Sequence, residues 1–489
     1  MCRLDASRVT RATAANQADS RGCSERRFQA GPSCCARGDE KRCKYYHGPV
    51  EPFSAGRYLR HTVSDRVPVV GFVVCFAVLS CTTSAWAQID QQRATQYFNE
   101  AASLCAREGG RLWGISLCGP IAIGDPVTRG VATSQPAPDA KPPAALGFAN
   151  AAMDWGGVRW VTLVWQMIPA DERARARLML HELFHRIQPQ LGFVVRDGSN
   201  DHLDTLDGRY WMQLEWRALA KALSGSGSAR AVALRDALAF RVARRATFPG
   251  AAENERLLEM NEGLAQYTGT VASATSSAEA AADTIDQLAK AAQTSTFVRT
   301  FAYPSGAAYG ILLDEASPEW RRALKTSDDL GQLLMVAARI RPAEDSDASA
   351  KLYGGSDLRM AEELRDAQQK LRVAELRRRF VEGPVIVLPP GRNASFVTSG
   401  MTPIPGAGTV YPTFRTTAEW GSLDAASVLM SADRKLTLPA PTSTEGTILK
   451  GAGWTLQLAP GWVVRPGNRP GDVQVVRDPG LPSAAELRF

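Results

Sequence analysis

The chain is 489 residues long, 45% hydrophobic and 22% charged, with a formal net charge of +7. That excess is local: residues 1–87 hold 13 of the 57 Lys+Arg and 7 of the 50 Asp+Glu, which leaves 44 basic against 43 acidic residues, a net +1, in the 402 that follow. Those 402 residues are ample for a large core, and nothing in a near-neutral balance argues for nucleic acid or an anionic membrane surface as a partner.

Residues 67–79 form a run of thirteen without a charge, preceded by Arg57, Arg60 and Arg66 and followed by Ser84-Ala85-Trp86-Ala87. This is the pattern of a signal peptide cut after Ala87, so the remainder is expected to be periplasmic or secreted. Thirteen residues are too few for a permanent anchor, and no stable membrane span is expected once the leader is removed. Residues 1–66, with five cysteines and no apolar periodicity, read as a stretch upstream of a later true start, or else as a disordered cytoplasmic extension. A lipoprotein cut before Cys81 fits less well, because Leu79 is bulky where a small residue is usual. Only Cys105 and Cys118 follow residue 87, and an even count in an oxidising compartment predicts a disulfide between them.

In chain order, a helix is expected over 91–108, then strands over 112–118, 121–123, 129–133 and 158–167, implying a small sheet. The proline-rich stretch 136–143 reads as a surface loop. From 171 to 350 the pattern is helical: Asp171 can cap a helix that Pro189 closes, and further helices are expected over 208–223, 229–245, 253–268 and 276–293. A long amphipathic helix covers 356–380. Beyond 383 composition shifts to Pro, Gly, Thr and Val, and short strands are expected over 385–388, 394–397, 409–417, 436–438, 454–458 and 473–476. The expected class is α+β: a mainly helical domain over 88–383 with a small N-terminal β-sheet, then a small β module over 384–489.

The chain has five histidines, and two of them fall in His181-Glu182-Leu183-Phe184-His185. Residues four apart share a helix face, so both imidazoles can meet one ion, with Glu182 beside them as general base. A catalytic zinc takes three protein ligands and keeps one position for water. Gln188 and Leu191 stand where a metzincin would have glycine and histidine, so the third ligand is expected from a carboxylate on another helix.

The stretch 257–269, LLEMNEGLAQYTG, resembles the ligand helix of gluzincin metallopeptidases, in which an Asn-Glu-Gly run often carries the third ligand. The resemblance implies a zincin-like catalytic domain, zinc held by His181, His185 and Glu262, and hydrolysis of peptide or protein substrates. It departs from the thermolysin-like and aminopeptidase-N-like spacing of about twenty residues, since 76 lie between His185 and Glu262. Glu215 competes for the ligand position, and Glu259 is a candidate for the shell behind it. Gly263 is expected to let its helix approach the histidine helix. Gluzincins use a tyrosine or histidine to stabilise the oxyanion; Tyr303 is the first candidate here, with Tyr309, Tyr267 and His202 behind it. The strand over 158–167 is expected to form the cleft edge and pair with extended substrate. The competing readings are an inactive zincin-fold scaffold and a zinc hydrolase of a non-peptide amide or ester.

Overall fold

The computed structural model describes residues 88–193, 198–391, 393–396, 400–478 and 480. The expected leader and its cleavage after Ala87 lie outside the described residues. No described helix is long and apolar enough to cross a membrane.

Helix α1 (Gln91–Glu108) starts where the Asp90 carboxylate accepts from the Arg93 amide at 3.0 Å and stops at Gly109, whose φ of 61° is left-handed. The acidic side chain satisfies a free amide at the N-terminus, and the glycine takes the left-handed turn at the C-terminus without steric cost. The strand expected over 112–118 is instead a turn-rich loop, closed by the Cys105–Cys118 disulfide. The Glu108 carboxylate drives the reversal by accepting from the amides of Gly110 and Leu112 at 2.8 and 2.7 Å. Its apolar residues are a plug rather than a strand face: Trp113 is buried, its ring centroid 5.1 Å from that of Phe184, and its indole N–H donates to Thr268 Oγ1 at 2.9 Å.

Strands β1 (Ile121–Gly124), β2 (Val131–Thr133), β3 (Ala151–Trp155) and β4 (Val158–Val164) form a sheet in the order β2-β1-β4-β3, with β1 and β4 parallel. The expectation for 158–167 is corrected here: β4 is an interior strand that ends at Val164, the next three residues form a short 3-10 helix, Trp165–Met167, and the strand at the edge beside β4 is β3. Gly156 and Gly157, both at positive φ (58° and 78°), make the tight turn that folds β3 onto β4.

Helix α2 (Glu172–Ile187) carries the histidines and is capped by Asp171, which accepts from the Ala174 amide at 2.8 Å. It passes into a 3-10 turn, Gln188–Leu191, with Pro189 near its start. Helices α3 (Leu206–Ser224), α4 (Gly227–Thr247), α5 (Ala251–Leu258), α6 (Leu264–Ser273), α7 (Ser277–Ala291), α8 (Ala302–Ala316), α9 (Trp320–Ala323), α10 (Leu330–Ala338) and α11 (Ser346–Lys351) pack with α1, α2 and the small sheet around one large apolar core. The single helix expected over 253–268 is two, joined through a π turn over Glu259–Gly263.

Helix α12 (Gly355–Arg377) leads through a second π turn, Arg378–Glu382, into an eleven-stranded sheet. Its strands are β5 (Val385–Leu388), β6 (Asn393–Ser395), β7 (Thr402–Ile404), β8 (Gly408–Ala418), β9 (Gly421–Met430), β10 (Leu436–Pro439), β11 (Ser443–Glu445), β12 (Ile448–Gly451), β13 (Trp454–Leu458), β14 (Trp462–Pro466) and β15 (Val473–Arg477). The long β8–β9 hairpin is its backbone, and Phe414, Trp420, Trp454 and Leu456 fill its core. A second small cluster joins Phe380 to Ile404, Val410 and Leu429, so the end of α12 packs into the β module. The described part is therefore an α+β structure, a helical body followed by a curled sheet.

Candidate metal centre

Helices α2 and α6 lie against each other because Gly269 faces α2. A Cβ there would sit 2.5 Å from the Arg177 carbonyl oxygen and 3.2 Å from the His181 amide. Gly263, expected to serve this approach, serves another: it meets Gly306 of α8, where an added Cβ on Gly306 would lie 2.2 Å from the Gly263 Cα. The π turn thus lies between the histidine helix on one side and α8 on the other. π turns add a residue to a helical turn and recur at functional sites.

The geometry brings together His181, His185 and Glu262, each offering a ligand atom within 4.8 Å of the others. The two Nε2 atoms are 3.1 Å apart, and each is 3.4 Å from Glu262 Oε2. Behind the rings, His181 Nδ1 is 3.1 Å from Gln266 Oε1 and His185 Nδ1 is 2.8 Å from Gln188 Oε1. Each amide is oriented by its other end: Gln266 Nε2 donates to Gln287 Oε1 at 2.5 Å, and Gln188 Nε2 donates to the Met260 carbonyl and to Asn261 Oδ1 at 3.4 and 3.3 Å. Carbonyl oxygens facing Nδ1 make it the protonated nitrogen, so both Nε2 lone pairs point at one another and at a carboxylate.

Three electron-rich atoms at these distances repel unless a cation lies among them. A proton can serve: burial pushes the His185 imidazole down, but Glu262 and Glu182 outweigh it and hold it above its ordinary value. Burial would likewise raise the Glu262 carboxyl, and the two histidines overcome this and hold it well below the usual carboxylate range. A divalent ion fits the same donor set without leaving either ring protonated.

Glu182 is buried, and its Oε2 has no hydrogen-bond partner. An orphaned carboxylate oxygen costs free energy, and burial accordingly pushes this carboxyl up, against the pull of His181 and His185. The Tyr303 ring stacks on His181 at 5.5 Å, nearly parallel, and its hydroxyl bonds to Glu262. Burial and the Glu262 charge push the phenol above its ordinary value, which keeps it a proton donor. Arg299 Nη2 donates to the outer oxygen of Glu262, Oε1, at 3.1 Å.

All these groups line one cavity of about 710 Å³, walled on one side by residues 149–152 at the start of edge strand β3 and elsewhere by Met167, Leu178, Pro189 and Phe193. The other expected candidates fall outside its lining. Glu215 is fully buried and accepts from Arg241, Arg244 and the Tyr309 hydroxyl, the last at 2.7 Å. Glu259 does not touch the His181, His185 and Glu262 group; it is bound bidentately by Arg241. Tyr267 donates to Asp314, and His202 Nε2 is 2.9 Å from Glu255 Oε1. Sequence reasoning missed Gln188, Gln266 and Arg299; the first two carried a signal, standing three residues after His185 and four after Glu262 on helical spacing.

Comparison with protein families, with curated proteins and with solved structures returns no match for this chain.

Proposed function

We propose that the chain is a zinc-dependent metallopeptidase of zincin-like arrangement, acting in the periplasm or outside the cell. The observation that carries the reading is the convergence of His181, His185 and Glu262 beside the unpartnered oxygen of Glu182, in one open cleft. The two imidazoles and the carboxylate would hold the ion, with Gln266 and Gln188 fixing the rings. Once bound, zinc supplies Lewis acidity that polarises a carbonyl and acidifies a water molecule.

The chain's own groups do the rest. Glu182 Oε2, buried and without a competing donor, takes the proton lost by the attacking water and returns it to the leaving amine. Tyr303, held against His181, offers its hydroxyl to the oxygen that becomes negative. Arg299 fixes the outer oxygen of Glu262, leaving Oε2 turned to the histidines. The exposed edge of β3 gives an extended peptide a row of backbone groups to pair with. The Cys105–Cys118 disulfide supports an oxidising compartment.

The test is metal content and peptide-library cleavage of the parent chain and of Glu182→Gln. The reading expects about one zinc per chain in both proteins, cleavage by the parent, and turnover lowered by two or more orders of magnitude in the variant. A parent that stays metal-free in zinc-replete medium overturns it. So does a variant that cleaves as the parent does, while zinc bound with turnover of amides or esters but not peptides overturns the peptidase assignment.

A further inference from the structure

Helix α12 joins the helical body to the β module, and its two faces differ. One is anchored: Leu358 is buried in the large core, the Glu362 carboxylate accepts from Arg209 at 3.1 Å and from Gln213 at 2.6 Å, and Val373 and Leu376 pack against the cluster around Phe380. The opposite face carries Met360, Leu364 and Leu371, which are 61%, 62% and 72% exposed, with Ala367 between them, also exposed. Each of the first three stands two residues from an anchored position, about 200° around the helix at 100° per residue. Large apolar side chains left this open in a row are unusual for a folded chain and mark an interaction surface.

The spacing of the row identifies its occupant. Steps of four, three and four from Met360 to Leu371 are the a and d positions of a heptad, the pattern by which one helix packs on another of the same kind. We propose that α12 pairs with α12 of a second copy of this chain, running antiparallel. In that register Met360 faces Leu371 of the second copy, and Leu364 faces its Ala367, so each large side chain at the centre meets a small one. A parallel pair would put Ala367 against Ala367 and leave a gap.

Charge agrees with the antiparallel choice. Glu363 and Lys370 each precede a stripe leucine and flank the seam at equivalent heptad positions. Antiparallel pairing brings Glu363 of each copy beside Lys370 of the other, twice per dimer. Lys370 now pairs with Asp366 on its own helix at 2.7 Å, but its side chain is 77% exposed, and such surface pairs are readily exchanged. A seam of about three turns is short, so the dimer is expected to be weak, with a dissociation constant on the order of 1–100 µM.

The experiment is sedimentation velocity on the expressed chain across that concentration range. The expected result is a concentration-dependent shift from monomer to dimer. Leu364→Glu with Leu371→Glu should weaken it at least tenfold, with helical content and thermal midpoint unchanged at concentrations where both proteins are monomers, because both positions face solvent there. Glu363→Lys alone should weaken the dimer by setting like charges together, and adding Lys370→Glu should restore it. A chain that stays monomeric throughout, a dimer indifferent to the leucine changes, or a charge swap that fails to restore association each overturns the proposal.

Discussion

The contact between the π turn and α8 makes a sharp prediction at Gly306. Alanine there would place its methyl 2.2 Å from the Gly263 Cα and 2.7 Å from the Gly263 carbonyl oxygen. Ordinary contact begins near 3.4 Å, so the two backbones must part by at least 3.4 − 2.2 = 1.2 Å. Helix propensity favours alanine by about 1 kcal/mol, whereas overpacking a closed interior costs about 1–3 kcal/mol, occasionally more. Here the clash is backbone on backbone, with no side chain free to rotate away, so overpacking wins. Gly306→Ala should therefore destabilise the chain by up to about 2 kcal/mol in urea denaturation, the upper overpacking cost less the helix-propensity gain. It should also weaken the zinc binding proposed for the site, because Glu262 and Tyr303 stand on the two sides of the contact. Gly263→Ala is the control, since its methyl meets Ala302 and Gly306 only at 3.0 Å and should cost less. If Gly306→Ala matches the parent in stability, or Gly263→Ala costs more, the packing argument is wrong.

Three further outcomes follow from the same geometry. Gln266→Leu removes the acceptor that orients His181 and should weaken the proposed zinc site about 10–100-fold in a chelator competition, with little change in fold stability. Arg244→Met strips Glu215 and Glu255 of buried donors and should cost about 3–5 kcal/mol, read from denaturation at neutral pH. Burial would raise the Asp329 carboxyl, but Arg241 and Arg245 hold it well below the usual range. Its contribution is therefore full above the unfolded carboxylate range, about pH 4, and is lost only as pH falls through the lower folded value. Asp329→Asn should lower stability at neutral pH and flatten that acid limb, as thermal melts from pH 2 to 7 would record.

The sequence made legible what local spacing encodes. His181 and His185 announce a shared face by their separation, the start of α2 is marked by Asp171, and the disulfide by its two lone cysteines. Glu262 was legible through its Asn-Glu-Gly context. What long-range packing decides was hidden. Nothing local says that Glu215 and Glu259 would be consumed by Arg241 and Arg244 across the helical body, nor that Gly263 would face α8. Strand β3, Ala-Ala-Met-Asp-Trp, lacks β-branched residues and is a strand because β4 pairs with it. In β9, Ser-Leu-Asp-Ala-Ala-Ser has no β-branched or aromatic residue and is a strand because β8 and β13 pair with it. The plug around Trp113 has strand-like composition, yet glycines and Glu108 fold it into a loop.

The π turn at Glu259–Gly263 carries one more consequence. Upstream, α5 is tied to the arginines of α4 through Glu255; downstream, α6 is seated on α2 by Gly269. Adding one more residue between these moorings, in a turn that already carries one extra, would swing everything beyond it by about 100° relative to what precedes it, whereas losing one would relax the bulge with the phase nearly kept. The linker at 225–226, between two exposed helix ends, carries no such phase, so the chain should forgive an added residue there and punish the same insertion at 259–263.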